Sequence, residues 1–405
     1  MSQSPSAQSN LRQYMLVTAN YWGFTLTDGA LRMLVLLYFY QLGYSPLELA
    51  LLFVFYEFFG VVTNLVGGWL GARIGLNRTM HLGLFLQLIA LGMLAIDSSY
   101  LSTLWVMSAQ ALSGIAKDLN KMSAKSAVKF ITNQQGLYTW VAVLTGSKNT
   151  LKGVGFFLGG LLLSLFSFQG AMLAMLAGLT LMFIASLVLI RNDLGKAKSK
   201  PKFSQVFSTS RNVNALSAAR FFLFGSRDVW FVVALPVFLA QQLGWAHWAV
   251  GSFLASWIIG YGMIQASAPA LTRRLGQFPP TGQDAKHWAL ALATLPLALG
   301  MALYFWPEQA WVLLSGLAVF ALLFAINSSV HSYLIVHYAK ADGASMDVGF
   351  YYMANAAGRL VGTVISGAAF QAWGIVACLM ISATFVLAAW LLSAYLESPE
   401  QPEMS

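Results

Sequence analysis

Thirteen ionisable residues lie inside apolar runs that are long enough to cross a lipid bilayer. A charged side chain is costly in hydrocarbon, so residues of this kind mark binding sites, ion pathways or proton relays. Nine of them are basic and four are acidic. They are Asp28, Arg32, Glu57, Lys117, Asp118, Lys121, Lys125, Lys148, Lys152, Arg220, Arg227, Asp228 and Arg359. The excess of positive charge predicts a site for an anion.

The depth of these residues follows from the helical rise of about 1.5 Å per residue, counted from the cytoplasmic end of each run. Lys148 and Arg359 then lie about 17 Å into the membrane, Arg227 about 19 Å and Lys152 about 22 Å. Asp28 falls at about 21 Å. These depths are close to the bilayer midplane, where transporters built from repeated helical halves bind their substrate.

The residue types indicate the chemistry of the ligand. A guanidinium group binds a phosphate-like oxyanion through two parallel hydrogen bonds, and an ammonium group adds an adaptable point charge. The predicted substrate-binding residues are Arg32, Lys117, Lys121, Lys148, Lys152, Arg227 and Arg359, with the uncharged Asn327, Tyr351 and Asn355. The candidates for carrying a coupling proton are Asp28, Glu57, Asp118 and Asp228.

Part of this charge could instead be neutralised within the protein. Asp28 and Arg32 are four residues apart, which suits an ion pair along one helix. Arg227 and Asp228 point about 100° apart on a helix, so they are not expected to satisfy each other alone.

Three cations have no carboxylate within a helical turn, namely Lys148, Lys152 and Arg359. Their partner is either a carboxylate on another helix, such as Glu57, or an anionic substrate. We favour the substrate, because five cations face three acids near the midplane.

Four lysines form a stripe in the stretch GIAKDLNKMSAKSAVKF, at positions 117, 121, 125 and 129. Residues four apart are neighbours on a helix surface, so these like charges repel unless they are compensated. Asp118 can pair with Lys121 one turn on. We expect Lys125 and Lys129 to extend toward the aqueous phase. For Lys117 and Lys121 the same arrangement and the lining of a water-filled passage remain open.

The elements that position these residues are membrane-spanning helices. The chain of 405 residues is 58% hydrophobic and 9% charged, and its mean hydropathy is +0.68. We predict an all-α integral membrane protein with twelve transmembrane helices in two six-helix bundles. The spans are predicted near 14–40, 46–71, 79–97, 101–122, 137–165, 169–190, 214–240, 248–270, 287–306, 310–338, 347–371 and 374–396.

The predicted domains are an N-terminal bundle over 1–190, a basic cytoplasmic linker over 191–213 and a C-terminal bundle over 214–405. Every basic residue outside the spans falls on the side that holds the N-terminus and this linker. Cytoplasmic loops are enriched in Lys and Arg, so both termini are predicted to lie in the cytoplasm.

A short repeat relates the two halves. WLGARIG at 69–75 follows the second predicted span, and ALTRRLG at 270–276 follows the eighth. With two groups of six spans and a basic central loop, this pattern resembles the major facilitator superfamily over the whole chain. The loop signature of that superfamily has an aspartate where this chain has Ala72, and a second basic pair where it has Leu76 and Asn77.

Four longer runs resemble the bacterial organoarsenical exporter family usually called ArsJ. They are NYWGFTLTDGALRMLV (20–35), ALSGIAKDLNKMSAKSAVK (111–129), LTGSKNTLKGVGFFLGG (144–160) and RFFLFGSRDVWFVVALPVF (220–238). The resemblance implies efflux of 1-arseno-3-phosphoglycerate across the bacterial inner membrane and resistance to arsenate. It also implies a functional partner, a glyceraldehyde-3-phosphate dehydrogenase that uses arsenate in place of phosphate.

Other functions remain open at this point. An importer or exchanger of phosphorylated metabolites needs the same cations, and a membrane receptor would have its intramembrane charges paired internally. An enzyme is not expected, since neither a metal-ligand cluster nor a nucleophile–base arrangement is evident. His331 and His337, six residues apart, do not share a helix face, and Cys378 is the single cysteine. We expect a monomer in the lipid bilayer, with no cofactor, metal or nucleic acid bound.

Overall fold

The computed structural model describes residues 5–44, 48–49, 52–130, 134–190, 196–197, 201–306 and 309–396. These residues form helices and no strand, so the all-helical prediction is confirmed. The helices are α1 (Pro5–Gln41), α2 (Val54–Ile74), α3 (Leu76–Leu94), α4 (Thr103–Ala127), α5 (Gln134–Leu165), α6 (Phe168–Leu189), α7 (Arg211–Phe231), α8 (Ala234–Gln241), α9 (His247–Arg274), α10 (Gly282–Phe305), α11 (Ala310–Tyr338) and α12 (Ala344–Ser393).

The helices correspond to the predicted spans, with two adjustments. The seventh span is divided into α7 and α8. The last two spans form one element, α12, which is interrupted at Gly374, where φ is 77° and ψ is −171°. Glycine adopts this positive φ without steric cost, so the chain can turn there between two membrane crossings.

Six helical segments of the described chain are long and apolar enough to cross a membrane by length and composition. They are Phe168–Leu189, Arg211–Gln241, Ala249–Arg274, Gly282–Phe305, Ala310–Tyr338 and Ala344–Ser393. Helices α1, α2, α4 and α5 are outside this set and contain nine of the thirteen charged residues found in the apolar runs.

The chain forms two compact units, each built from separated stretches. The first contains Met1–Asn133, Ser147–Phe207 and Ala339–Met353, and the second contains Gln134–Gly146, Ser208–Tyr338 and Ala354–Ser405. Helix α5 therefore begins in the second unit and continues in the first. The first residues of α12 belong to the first unit and its remainder to the second.

Aromatic side chains fill the core of the second unit. Trp230 of α7 makes an edge contact with Phe320 of α11, at 5.0 Å between ring centroids. The indole of Trp257 on α9 donates a hydrogen bond to the carbonyl oxygen of Leu317, at 3.1 Å. A buried indole N–H needs such an acceptor, so this contact fixes α9 against α11.

Candidate functional site

Glycines bring α1 and α5 into backbone contact in the first unit. A Cβ added at Gly155 would lie 2.6 Å from the carbonyl oxygen of Leu26, and one at Gly159 would lie 2.4 Å from that of Ala30. A Cβ at Gly29 would lie 2.6 Å from the carbonyl oxygen of Lys152. Small residues allow such close helix packing in membranes. The crossing places Lys152 beside the part of α1 that carries Asp28.

Asp28 is buried, with 4% of its surface exposed. The hydroxyl of Tyr56 on α2 lies 2.7 Å from Oδ1 and 3.0 Å from Oδ2 of this carboxyl group and donates a hydrogen bond to it. The sequence-based alternative of a simple pair between Asp28 and Arg32 is wrong. Arg32 pairs instead with Glu57 of α2, at 3.4 Å between Nη1 and Oε1.

Asp118 compensates two of the lysines in the stripe on α4. Its Oδ1 lies 2.6 Å from Nζ of Lys121, as the spacing predicts, and its Oδ2 lies 3.9 Å from Nζ of Lys117. The ammonium group of Lys117 also lies 3.8 Å from the ring centroid of Tyr56. Cation–π contacts of this kind stabilise a partly desolvated ammonium group.

The other two lysines of the stripe bind the first residues of α12, within the same unit. Lys125 is 5% exposed, and its Nζ donates to the hydroxyl of Tyr352 at 2.6 Å. Lys129 donates to the carbonyl oxygen of Ala339. The expectation that Lys125 and Lys129 extend toward the aqueous phase is therefore wrong for Lys125, and Lys129 also has an acceptor within the protein. Burial lowers the pKa of Lys129 to about 8, although Asp347 opposes this shift.

Lys152 differs from these residues. In the described part of the chain it makes no hydrogen bond and no ion pair, and its nearest aromatic contact is Phe156, at 6.0 Å. Its ammonium group lies within the electrostatic field of three cations, Arg32, Lys148 and Lys117, and of one acid, Asp28.

We use the term α1–α5 cluster for eight charged residues of the first unit: Arg32, Lys117, Lys121, Lys148, Lys152, Asp28, Glu57 and Asp118. Five are basic and three are acidic, so two positive charges are in excess when all are ionised. Lys148 donates a hydrogen bond to Oδ1 of Asn149, at 3.2 Å. An anion that enters this cluster meets the ammonium group of Lys152, which has no ion pair among the described residues.

The second unit repeats the glycine crossing between α7 and α12. A Cβ added at Gly358 would lie 2.1 Å from the carbonyl oxygen of Phe221, and one at Gly362 would lie 2.5 Å from that of Gly225. Both crossings thus use glycines four apart against carbonyl oxygens four apart. Arg32 and Arg227 lie two residues beyond the second of these carbonyls in their respective helices.

Asp228 accepts hydrogen bonds from two arginines at this crossing. Nε of Arg227 lies 2.7 Å from Oδ1, and Nε of Arg359 lies 2.9 Å from Oδ2. Arg227 and Asp228 do form a pair, but they do not satisfy each other alone, because Asp228 also binds Arg359. For Arg359 the favoured alternative of a substrate partner is wrong, since its partner is a carboxylate on another helix.

Arg220 is the most buried of the three arginines, with 2% of its surface exposed. Its Nε donates to Oδ1 of Asn355 at 3.0 Å, and its Nη1 donates to the carbonyl oxygen of Ser328 at 3.1 Å. Its guanidinium lies 3.8 Å from the ring centroid of Phe224. Asn355, a predicted substrate ligand, is thus a ligand of this guanidinium. Asn327 is fully buried on α11, and Tyr351 is fully buried in the first unit.

The family model of the Major Facilitator Superfamily matches residues 15–283. The chain belongs to the major facilitator superfamily. The predicted superfamily and its all-α membrane fold are thereby confirmed.

Solved structures agree with this superfamily fold. The human organic anion transporter MFSD10 (TETRAN) matches with a TM-score of 0.76 at 16% identity, over 96% of this chain and 100% of that one. FucP in the outward conformation matches at 0.74 and 12% identity, over 96% and 99%. A bacterial homologue of the iron transporter ferroportin, in its outward-facing state, matches at 0.72 and 14% identity, over 95% and 98%. At these identities the likeness shows the fold alone, and no curated protein sequence matches the chain.

Sequence reasoning missed several groups that hold the charges of this superfamily member. Tyr56 binds Asp28, and Ser328 binds Arg220. Arg220 is among the ionisable residues of the apolar runs, but its predicted depth does not place it with the substrate-binding candidates. Among the described residues, no group of three or more His, Cys, Asp and Glu side chains is placed to hold a metal ion.

Proposed function

We propose that this transporter exports 1-arseno-3-phosphoglycerate from the cytoplasm by alternating access of its two halves, and so confers resistance to arsenate. The observation that carries the proposal is Lys152. It lies in a cluster with two positive charges in excess, and it has neither a hydrogen bond nor an ion pair in the described part of the chain. A half-buried cation without an ion pair inside a membrane protein is retained at a cost, which an anionic ligand offsets.

The chemistry of the ligand fits the residues available. The molecule carries a phosphate group and an acyl arsenate group, and lysine and arginine bind such oxyanions through charge-assisted hydrogen bonds. Trivalent arsenic would instead favour thiolates, which are soft ligands. The chain has one cysteine, Cys378, and it is buried. The cluster therefore suits an oxidised, phosphorylated arsenical better than arsenite.

The charge of the substrate supports outward transport. A membrane potential that is negative inside assists the exit of each negative charge by about 2.3 kcal/mol per 100 mV. A multiply charged anion can therefore leave against a concentration gradient, even when one proton leaves with it, because net negative charge still moves outward. Proton coupling through Asp28, Glu57, Asp118 or Asp228 stays a prediction.

The specific substrate is supported by the resemblance of the four long runs to the organoarsenical exporter family. The same resemblance supports a location in the bacterial inner membrane and a functional link to glyceraldehyde-3-phosphate dehydrogenase. The human fold relative MFSD10 is itself an organic anion transporter. The division into 1–190, 191–213 and 214–405, the cytoplasmic termini and the monomeric state remain predictions.

The test is uptake of radiolabelled arsenate by everted membrane vesicles, whose cytoplasmic face is outside. Export then appears as accumulation inside the vesicle. We expect accumulation only when glyceraldehyde-3-phosphate, NAD and the dehydrogenase are all present. Failure to accumulate label, with the protein and the arsenical product both verified, would contradict the proposal.

Two further measurements sharpen the result. Lys152→Gln should abolish accumulation, whereas Lys286→Gln, a lysine of α10 outside both charged crossings, should leave it unchanged. Efflux of preloaded 3-phosphoglycerate in exchange for an external phosphorylated metabolite, without net arsenical export, would favour the alternative of a phosphorylated-metabolite exchanger.

A further inference from the structure

Asn327 and His331 form a buried polar pair on α11, in the second unit. They are one helical turn apart, and both are fully buried. In the described part of the chain, neither the two amide atoms of Asn327 nor the two ring nitrogens of His331 have a hydrogen-bond partner. Four such atoms on two successive turns are unusual, because buried polar groups in proteins are nearly always paired.

This arrangement costs free energy in the state described. A buried polar group without a partner loses the hydrogen bonds that water gives it in the unfolded chain. An apolar side chain of similar size would avoid this cost. The polar groups are therefore expected to find their partners in another state of the transport cycle, when water or substrate reaches α11.

Arg220 is the charged group that acts on His331. Its guanidinium binds Ser328, which lies one helical turn before His331 on α11, so the two basic groups occupy neighbouring turns. Arg220 of α7 donates a hydrogen bond from Nη1 to Oγ of Ser328 on α11, at 3.2 Å. The same oxygen accepts a hydrogen bond from Nε2 of Gln265 on α9, at 3.0 Å. Positive charge on both His331 and Arg220 is unfavourable unless an anion lies close to them.

Other titratable groups surround this part of α11. Arg227 lies on α7, about two turns beyond Arg220, and its guanidinium lies 5.6 Å from the ring centroid of Phe324. Tyr261 of α9 also contacts the ring of Phe324, and Tyr138 of α5 contacts the ring of Tyr333. Tyrosine is neutral near pH 7, so the charged groups among the described residues named here are Arg220, Arg227, Arg359 and Asp228, and Asp228 binds both Arg227 and Arg359.

We propose that His331 is a proton-binding site that is loaded when an anionic group of the substrate binds at Arg220. The inference rests on the proposed transport of an organic anion and adds a site in the second unit. An anion near Arg220 offsets the repulsion between guanidinium and imidazolium, so anion and proton favour each other's binding. Asn327, one turn away, offers a donor and an acceptor to the same ligand.

The test uses purified full-length protein in detergent and 3-phosphoglycerate as the probe anion. Binding is measured by calorimetry, and proton uptake is measured with a pH-indicator dye in weakly buffered solution near pH 7.5. We expect wild-type protein to take up about one proton for each anion bound. His331→Gln should bind the anion with this uptake removed, and His81→Gln, on α3 in the first unit, should behave as wild type.

A second measurement covers the case in which His331→Gln does not fold. Nitrogen-15 NMR of the five histidines in wild-type protein should show one ring that becomes doubly protonated on addition of 3-phosphoglycerate. The same response should persist in His81→Gln, because the proposal assigns it to the ring of His331. Loss of the response in His81→Gln would assign it to His81 instead.

The outcomes separate the two proposals. Anion binding with unchanged proton uptake in His331→Gln, or with no histidine response in wild type, would overturn the role of His331 and leave anion transport intact. Absence of binding by wild-type protein to both 3-phosphoglycerate and the arsenical product would overturn the proposed function, and this inference with it.

Discussion

Arg359 donates a hydrogen bond from Nε to Oδ2 of Asp228 at 2.9 Å, across 131 positions of sequence. Arg227 occupies the other carboxylate oxygen, and Asp228 is fully buried. One carboxylate thus serves two guanidinium groups. The crossing of α7 and α12 depends on this acid, because its loss leaves two cations without their shared partner.

Asp228→Asn is therefore expected to destabilise the protein strongly. Removing one partner of a buried ion pair typically costs about 3–5 kcal/mol, since the remaining charge stays desolvated. Thermal unfolding of purified protein in detergent measures the effect. Asp342→Asn, an exposed acid after α11, is the control and should unfold as wild type. Equal midpoints for both variants would show that Asp228 does not hold the crossing.

The pair also shows what the sequence could not give. The apolar runs predict nearly every helix, because a helix must be about 20 residues long to cross the membrane. The pairing of Asp228 with Arg359 depends instead on the rotation and depth of two helices that are distant in sequence. Gly358 and Gly362 set that register, and their contacts with Phe221 and Gly225 become evident only when the helices are packed.

Only the contacts of the lysine stripe that lie within one helix could be predicted from the sequence. The pair of Lys121 with Asp118 lies within one helix, so spacing alone predicts it. Lys125 is different, because its acceptor is Tyr352 on α12. A lysine near the end of a membrane helix is expected to extend its side chain toward water. Lys125 instead binds the hydroxyl of Tyr352, which is distant in sequence and therefore could not be predicted from spacing.

Removal of the charge at Lys121 and at Lys152 should have different effects on the melting temperature of the protein. Lys121→Met leaves Asp118 with a weaker partner, Lys117 at 3.9 Å, so the melting temperature should fall. Lys152→Met removes an ammonium group that has no ion pair in the described residues, so the melting temperature should be unchanged or higher. The measurement is unfolding in detergent, paired with vesicle transport. A large loss of stability in Lys152→Met would mean that an internal acid neutralises this lysine.

The glycine crossing of the first unit offers a matched pair of substitutions. A Cβ at Gly155 would meet backbone atoms of Leu26 and Ala30, at 2.6 and 3.1 Å, and backbone cannot yield without separating α1 from α5. Gly155→Ala should therefore reduce both stability and transport. Gly178 on α6 has no neighbour within 4 Å of a built Cβ. Gly178→Ala should be neutral or stabilise the protein by up to about 1 kcal/mol, since alanine favours helix. Similar losses in both variants would refute the packing argument.

The burial of Lys129 should make stability depend on pH in the alkaline range. Burial lowers the pKa of Lys129 from its ordinary value of 10.5 to about 8 in the folded protein. Between these values the unfolded chain binds more protons than the folded one, so stability rises with pH. Below about pH 8 the cost of the buried charge is fully present. Lys129→Met removes this titration.

The measurement compares unfolding midpoints of wild-type protein and Lys129→Met between pH 7 and 10. Wild-type protein should gain stability relative to the variant as the pH rises above 8, because its lysine is neutral in the folded state and the penalty disappears. Asp347→Asn supplies a check, since Asp347 favours the charged form of Lys129. That variant should begin its gain at a lower pH than wild type. Parallel pH profiles for wild type and Lys129→Met would mean that Lys129 stays solvated.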